Sequence, residues 1–339
     1  MSTVAYGMKR ERFHEITNKM ANKKILVIGD VGVDRYTIGT AARLSPEAPV
    51  PVVTVKSQND KLGMAANVAD NIRAFGARPI LSSVIGNDRV SEDFFRLLQE
   101  AKIDHKNVFS HPSRRTSLKE RIIAQAQHVV RIDHEIIEGL SSTVEDFFLE
   151  RLLPLITGCD AIILEDYAKG VLTDRVVRSI VEYAGKSGVF ITVDPTTVVR
   201  SLSAFRGVSL FKPNLHEAER LTGVAIRDEA SLKKAADVLY AETEAPNIII
   251  TQGPKGMTLF SSSSNPVHIP TFARSVYDVS GAGDTVISML TLAMATGANL
   301  AEGAILANFA AGVEVGKQGT ATVTLLELEE YMQLFEAFL

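Results

Sequence analysis

The run Lys24-Ile25-Leu26-Val27-Ile28-Gly29-Asp30 stays apolar until Gly-Asp stops it, the pattern of a strand buried on both faces of a parallel sheet. The same pattern recurs at residues 79–85, 161–164, 189–193, 208–211 and 247–251. Between these runs the period becomes helical: Val68, Ile72 and Phe75 stand at i, i+4 and i+7, and residues 176–183 repeat the theme. Strands alternating with helices predict βαβ units and a doubly wound, mainly parallel α/β sheet. Ahead of the first run, Phe13, Ile16 and Met20 follow helical spacing and predict a short lead-in helix within residues 1–22, leaving 23–339 as one large domain.

Two stretches break the rhythm. Residues 36–55 hold three prolines and alternating valines (Val50, Val52, Val53, Val55), and residues 116–133 alternate again through Ile122, Val129 and Ile132. Both predict strands outside the main sheet, paired as a small β lid, with the prolines marking edge positions. Residues 261–264, four serines, predict a hairpin tip.

Composition narrows the function classes. The 339 residues are 46% hydrophobic and 22% charged, as in ordinary globular proteins. Lys plus Arg number 36 against 40 acidic residues, so the mildly acidic chain gives no reason to propose nucleic acid or an anionic membrane as partner. A single cysteine, Cys159, excludes an intrachain disulfide and multi-thiolate zinc sites and reads as a structural thiol. The polar N-terminus lacks a signal-peptide core, and the apolar runs are too short to span a membrane, which points to the cytoplasm.

The stretch richest in chemistry is Tyr277-Asp278-Val279-Ser280-Gly281-Ala282-Gly283-Asp284-Thr285, followed by an apolar helical run. Small residues let the backbone turn tightly, and the helix aims its free N–H groups at the turn. Such an anion hole, built from Gly281, Ala282 and Gly283, suits a transferring phosphoryl group. Asp284, at the helix start, can take the proton of an attacking hydroxyl, although these residues also read as an ordinary cap and turn. In Lys212-Pro213-Asn214-Leu215-His216-Glu217, the Asn214/Glu217 spacing suits a water-coordinated Mg²⁺ beside phosphates, and equally a capping box. Thr251, Gly253 and Gly256 close another strand where a nucleotide can approach the backbone, or where a hairpin turns. Asp30 and Asp34 flank the end of the first strand, and Asn67 opens a helix after Gly63. Polar groups at strand ends are where open α/β sheets bind ligands, and these suit polyol hydroxyls as well as plain turns. Residues 312–318 imitate a phosphate-binding loop, but their glycines are one residue too close and no Ser or Thr follows Lys317.

Taken in order, these motifs resemble the ribokinase-like, PfkB-type sugar kinases: residues 63–67 their N-terminal motif, 214–217 their Asn-x-x-Glu motif, and 278–285 their C-terminal motif. The resemblance runs from about Lys24 to the end. Residues 29–36, 43–53, 166–170, 276–279 and 315–320 are similar, more narrowly, to D-glycero-β-D-manno-heptose 7-phosphate kinases in a stand-alone form without the nucleotidyltransferase domain. Those enzymes phosphorylate the anomeric hydroxyl on the way to ADP-heptose for lipopolysaccharide. The resemblance implies ATP and Mg²⁺ as cofactors, a cytoplasmic homodimer joined through the lid, and Asp284 as the base. It implies Asn214 and Glu217 for Mg²⁺–ATP, with Thr251, Gly253 and Gly256 along the nucleotide. Asp30, Asp34, Gly63, Asn67 and Asp166 would serve the sugar, Arg43, Arg131 and Lys169 its phosphate, and Asp278 with the 316–319 loop a monovalent cation such as K⁺. Three positions depart from the pattern: Met64 replaces a glycine, residues 124–127 lack an Arg-Asn pair, and Thr196 replaces a lysine. A kinase for another sugar or sugar phosphate, and an inactive nucleotide-binding regulator, are the alternative readings.

Overall fold

Alternate side chains of each central strand enter opposite cores, which is why those strands read as unbroken apolar runs. In β2 (Lys24–Gly29), Ile25 and Val27 join one core while Leu26 and Ile28 join the other. In β9 (Ala161–Glu165), Ala161 and Ile163 go one way, Ile162 and Leu164 the other. The computed structural model describes residues 2–3, 7–125, 127–198, 201–262 and 264–338. Ala126, in the altered 124–127 segment, and Ser263, in the serine tip, lie outside them.

The remaining strands of the main sheet are β1 (Ser2–Thr3), β5 (Arg78–Gly86), β6 (Val108–His111), β10 (Phe190–Asp194), β11 (Leu210–Phe211), β12 (Asn247–Thr251), β13 (Met257–Ser261) and β14 (Ser264–Ile269). Their order is β1-β14-β13-β12-β11-β10-β9-β2-β5-β6, parallel except for β13, which runs against both neighbours. β11 is shorter than the apolar run suggests. The Ser209 hydroxyl takes the Ile191 N–H, occupying a donor that a longer ladder would use.

Helices cover both faces. α1 (Arg10–Met20), α2 (Ala65–Ala74), α3 (Arg89–Glu100), α8 (Ala282–Ala295), α9 (Leu300–Glu314) and α10 (Leu325–Leu334) bury their apolar stripes in one core. α4 (Ser142–Ile156), α5 (Asp174–Ser187), α6 (Leu215–Thr222) and α7 (Glu229–Thr243) bury theirs in the other. α1 is part of this packing: Phe13, Ile16 and Met20 are fully buried, and Phe13 meets Phe338 edge to face at 5.4 Å. Among the described residues no helix is long and apolar enough to cross a membrane.

A second sheet, order β4-β3-β7-β8, stands over the C-terminal ends of the central strands. It comprises β3 (Val31–Leu44), β4 (Pro51–Met64), β7 (Ser117–Ala124) and β8 (Gln127–His134). β3 leaves β2 with only Asp30 between them, so the lid is a direct extension of the main sheet. Pro46 and Pro49 fall in the connecting turn, and Pro51 starts the edge strand β4, where a missing N–H breaks no ladder. The base of the lid is pinned by Arg35, bidentate to Asp60 at 2.7 and 2.8 Å and bonded to Asp93 of α3 at 3.0 Å.

Candidate active site

At the start of α8 the chain turns through Gly281, whose φ of 98° is left-handed and favours glycine. No side chain caps this helix, and Gly281, Ala282 and Gly283 at its first turn line a cavity. Asp284 lies within the helix and not at its cap. Its Oδ2 accepts Asn67 Nδ2–H at 2.7 Å, and its Oδ1 accepts the Tyr167 hydroxyl at 2.9 Å. Burial pushes this carboxyl up to about 6, against the opposing pull of those two hydrogen bonds. The result is an oriented carboxylate at an uncapped helix start, able to accept a proton near neutral pH.

The cavity in front of this turn measures about 600 Å³, a volume within the range of ligand pockets. Thr251, Gly253 and Gly256 line it. At Gly256 a Cβ would strike the Ile269 carbonyl at 2.0 Å, so only glycine fits that approach. Asn214 and Glu217 line it too, joined in a reciprocal capping box: Asn214 Oδ1 accepts the Glu217 N–H and Glu217 Oε2 accepts the Asn214 N–H. The capping box read from the sequence is thus realised at the wall of the cavity.

Lys212 was legible only as a lysine before Pro-Asn, and the fold buries it. Its Nζ sits 2.7 Å from Asp194 Oδ2, beside the cavity, and 3.9 Å from where a Cβ on Gly283 would lie. It supplies an ammonium to the cavity that Thr196 lacks. Glu165 is buried at the same wall, with Oε2 unpartnered among the described residues, and burial raises its pKa well above the usual range. Glu165, Asp194 and Glu217 line that wall together, an acidic surface that a hydrated Mg²⁺ beside phosphates would suit. Asn214 and Glu217 would hold that ion.

The sugar-side residues divide. Asn67 of α2 donates to Asp284, and Asp34 of β3, whose charge acts on Asp284, accepts from Arg121 at 2.7 Å. A Cβ on Gly63 would lie 2.9 Å from Asp34 Oδ2, so glycine there gives that carboxylate its room. Asp30 differs from the expectation. Its two oxygens accept the N–H groups of Tyr167, Lys169 and Val171, so it builds the 167–171 loop in place of facing a ligand. Asp166 borders the cavity and bonds the Ala168 N–H, and Lys169 pairs with Glu135 at 2.6 Å. Arg43 and Arg131 are not brought to the site: Arg43 is exposed on the distal part of β3, and Arg131, also exposed, pairs with Asp133. Sequence alternation cannot tell the cleft end of a long lid strand from its free end.

Met64 holds φ 61°, ψ −137°, a conformation almost confined to glycine, while its side chain is buried. Met64→Gly relieves strain of roughly 1–3 kcal/mol and loses apolar burial of similar size. Met64→Ala loses the burial and keeps the strain. In urea unfolding the Gly variant is therefore expected to be the more stable of the two; the opposite order would refute the strain.

Behind the anion hole, Asp278 accepts the N–H groups of Ser280 and Gly319, and Lys61 Nζ donates to the carbonyls of Gln318 and Thr320. Oxygens expected around a monovalent ion are thus engaged within the chain itself. Glu314 is fully buried here with no side-chain partner for either carboxylate oxygen among the described residues, and only the Ala321 N–H near it. Burial pushes its pKa up to about 8. A carboxyl raised on folding favours the native state most below its unfolded pKa, near 4.5, and that contribution is lost as pH rises to 8. Glu314→Gln removes the titration, so its stability relative to the parent is expected to rise by roughly 2–4 kcal/mol between pH 5 and pH 8. Parallel pH–stability curves for the two proteins would contradict this.

Comparison with known proteins agrees with the geometry. The family model described as pfkB family carbohydrate kinase matches residues 22–326. The chain is 41% identical over 321 residues to the bifunctional protein HldE of Trichlorobacter lovleyi and 42% identical over 308 residues to that of Wolinella succinogenes. These alignments cover 95% and 91% of this chain but only 65% and 64% of those relatives. Among solved structures, Arabidopsis thaliana ribokinase complexed with ribose and ATP superposes with a TM-score of 0.74 at 18% identity, covering 92% of this chain and 99% of that one. Phosphofructokinase-2 from Escherichia coli in complex with potassium gives 0.74 at 20% identity, covering 93% and 99%. With a family model spanning most of its length and a ribokinase-like fold carrying an oriented carboxylate at the start of α8, the chain belongs to the pfkB family of carbohydrate kinases, phosphotransferases with an alcohol group as acceptor.

Proposed function

We propose that this kinase transfers the γ-phosphoryl group of ATP to the anomeric hydroxyl of D-glycero-β-D-manno-heptose 7-phosphate, giving the 1,7-bisphosphate used in ADP-heptose and lipopolysaccharide synthesis. The observation that carries the reaction type is Asp284, held by Asn67 and Tyr167 at the open N-terminus of α8. Similarity to the HldE proteins over their kinase-sized portion supports the heptose phosphate.

Asp284 takes the proton of the sugar hydroxyl as its oxygen attacks the γ-phosphorus in line. The new P–O bond forms as the bond to the β-phosphate oxygen breaks, and ADP departs. Charge on the transferring group falls on the first-turn N–H groups of α8 and on Lys212. When bound, Mg²⁺ would neutralise phosphate oxygens. The reaction belongs in the cytoplasm, where ATP is made. Exposed Val55, Val129, Val130 and Ile132 on the lid support pairing of two copies there. Sedimentation as a monomer at micromolar concentration would remove that pairing.

The test is ADP release from Mg²⁺–ATP across a panel of sugars and sugar phosphates. Selective turnover of the heptose phosphate supports the full reading. Turnover of a different sugar keeps the kinase and reassigns its acceptor, and no turnover with any acceptor favours a silent regulator.

A further inference from the structure

Cations gather where the lid meets the catalytic loop, and the fold accounts for nearly all of them. Arg121 spends its charge on Asp34, and Lys169 on Glu135. Arg114 donates to the carbonyls of Glu138 and Lys169. Lys119 of β7 is different. Among the described residues its ammonium makes no hydrogen bond and no ion pair, and its Nζ stands over the Tyr167 ring, 4.7 Å from the centroid. Register places Lys119 opposite Asp34 on β3 and Asp133 on β8, two residues from Arg121 and therefore on the same face of the sheet. Lys169 repels it, Asp34, Glu135 and Asp133 attract it from a distance, and burial lowers its pKa. A half-buried ammonium with open donors is costly unless something anionic arrives.

We propose that Lys119 determines acceptor specificity by binding the phosphate of a phosphorylated sugar, at the end away from the reacting hydroxyl. This rests on the reading of the site as a sugar kinase. Tyr167 supplies the ruler: its hydroxyl bonds Asp284 while its ring underlies the ammonium. The anion and the hydroxyl to be activated are thus held about one tyrosine apart. A sugar with its phosphate on a carbon remote from the acceptor hydroxyl spans that gap, and a neutral sugar leaves Lys119 unsatisfied.

The experiment compares the parent with Lys119→Met and Lys119→Arg at saturating Mg²⁺–ATP. Acceptors are D-glycero-β-D-manno-heptose 7-phosphate, fructose 6-phosphate and unphosphorylated D-glycero-D-manno-heptose. Lys119→Met is expected to raise KM for the productive sugar phosphate about thirtyfold or more, with KM for ATP unchanged and kcat little affected. The Arg variant recovers most of the loss, and constants for any neutral acceptor do not move. Melting curves guard against misfolding, since removing a desolvated charge should not lower Tm. Unchanged KM in the Met variant overturns the proposal, as does an equal loss on neutral and phosphorylated acceptors. A fall confined to kcat assigns Lys119 to the transferred group and also overturns it. If the parent ignores the heptose phosphate but uses fructose 6-phosphate with a Lys119-dependent KM, the heptose assignment fails and Lys119 stands. A parent that uses only neutral sugars ends the Lys119 proposal.

Discussion

Asp284→Asn is expected to lower kcat at least about a hundredfold while leaving ATP affinity nearly unchanged. The amide is nearly isosteric, can still meet the Tyr167 hydroxyl with its oxygen, and leaves the Gly281 turn untouched. It cannot hold the proton that leaves the acceptor. Because the parent carboxyl is raised to about 6 by burial, it is increasingly protonated below that pH. The parent's kcat/KM should therefore fall as pH drops through about 6. Single-turnover rates in the parent and the variant check both statements. A near-normal rate in Asp284→Asn would remove Asp284 from the base role.

Lys212→Met should be nearly as damaging, through two separable effects. Lys212 and Asp194 form a buried pair at 2.7 Å, and deleting one partner leaves a buried carboxylate alone, a loss of roughly 3–5 kcal/mol. Turnover should also fall by about two orders of magnitude, because the cavity loses the side-chain cation beside Gly283. The double variant Lys212→Met/Asp194→Asn separates them. It should recover most of the stability, measured by urea unfolding, and none of the rate. Recovery of both would make Lys212 a purely structural partner of Asp194.

The main sheet was legible because its strands are buried on both faces, so burial alone wrote 24–30, 161–164 and 247–251 as apolar runs. The turn that opens α8 was legible because tight turns at helix starts need small residues next to one another in sequence, as at Gly281–Gly283. Contacts between distant segments were not. Tyr167 and Asn67 reach Asp284 from separate elements, 117 and 217 residues away in the chain. Nothing local to either residue encodes that meeting. Asp30 misled for a related reason. A carboxylate at a strand end looks the same whether it faces a ligand or, as here, three backbone N–H groups of a loop more than a hundred residues away. Lys119 and Arg131 alternate alike along lid strands, and only the fold separates the one over Tyr167 from the one in solvent.

The position of Tyr167 makes this kinase its own optical probe. The chain has seven tyrosines and no tryptophan, so tyrosine dominates its fluorescence and the long-wavelength edge of its near-ultraviolet absorption. One of those chromophores bridges the Asp284 carboxylate and the Lys119 ammonium. Protonation of Asp284, or an anion settling on the lysine, changes the field on that ring directly. A difference spectrum can therefore follow the loading of the acceptor site in unlabelled protein, with Tyr167→Phe as the spectroscopic blank.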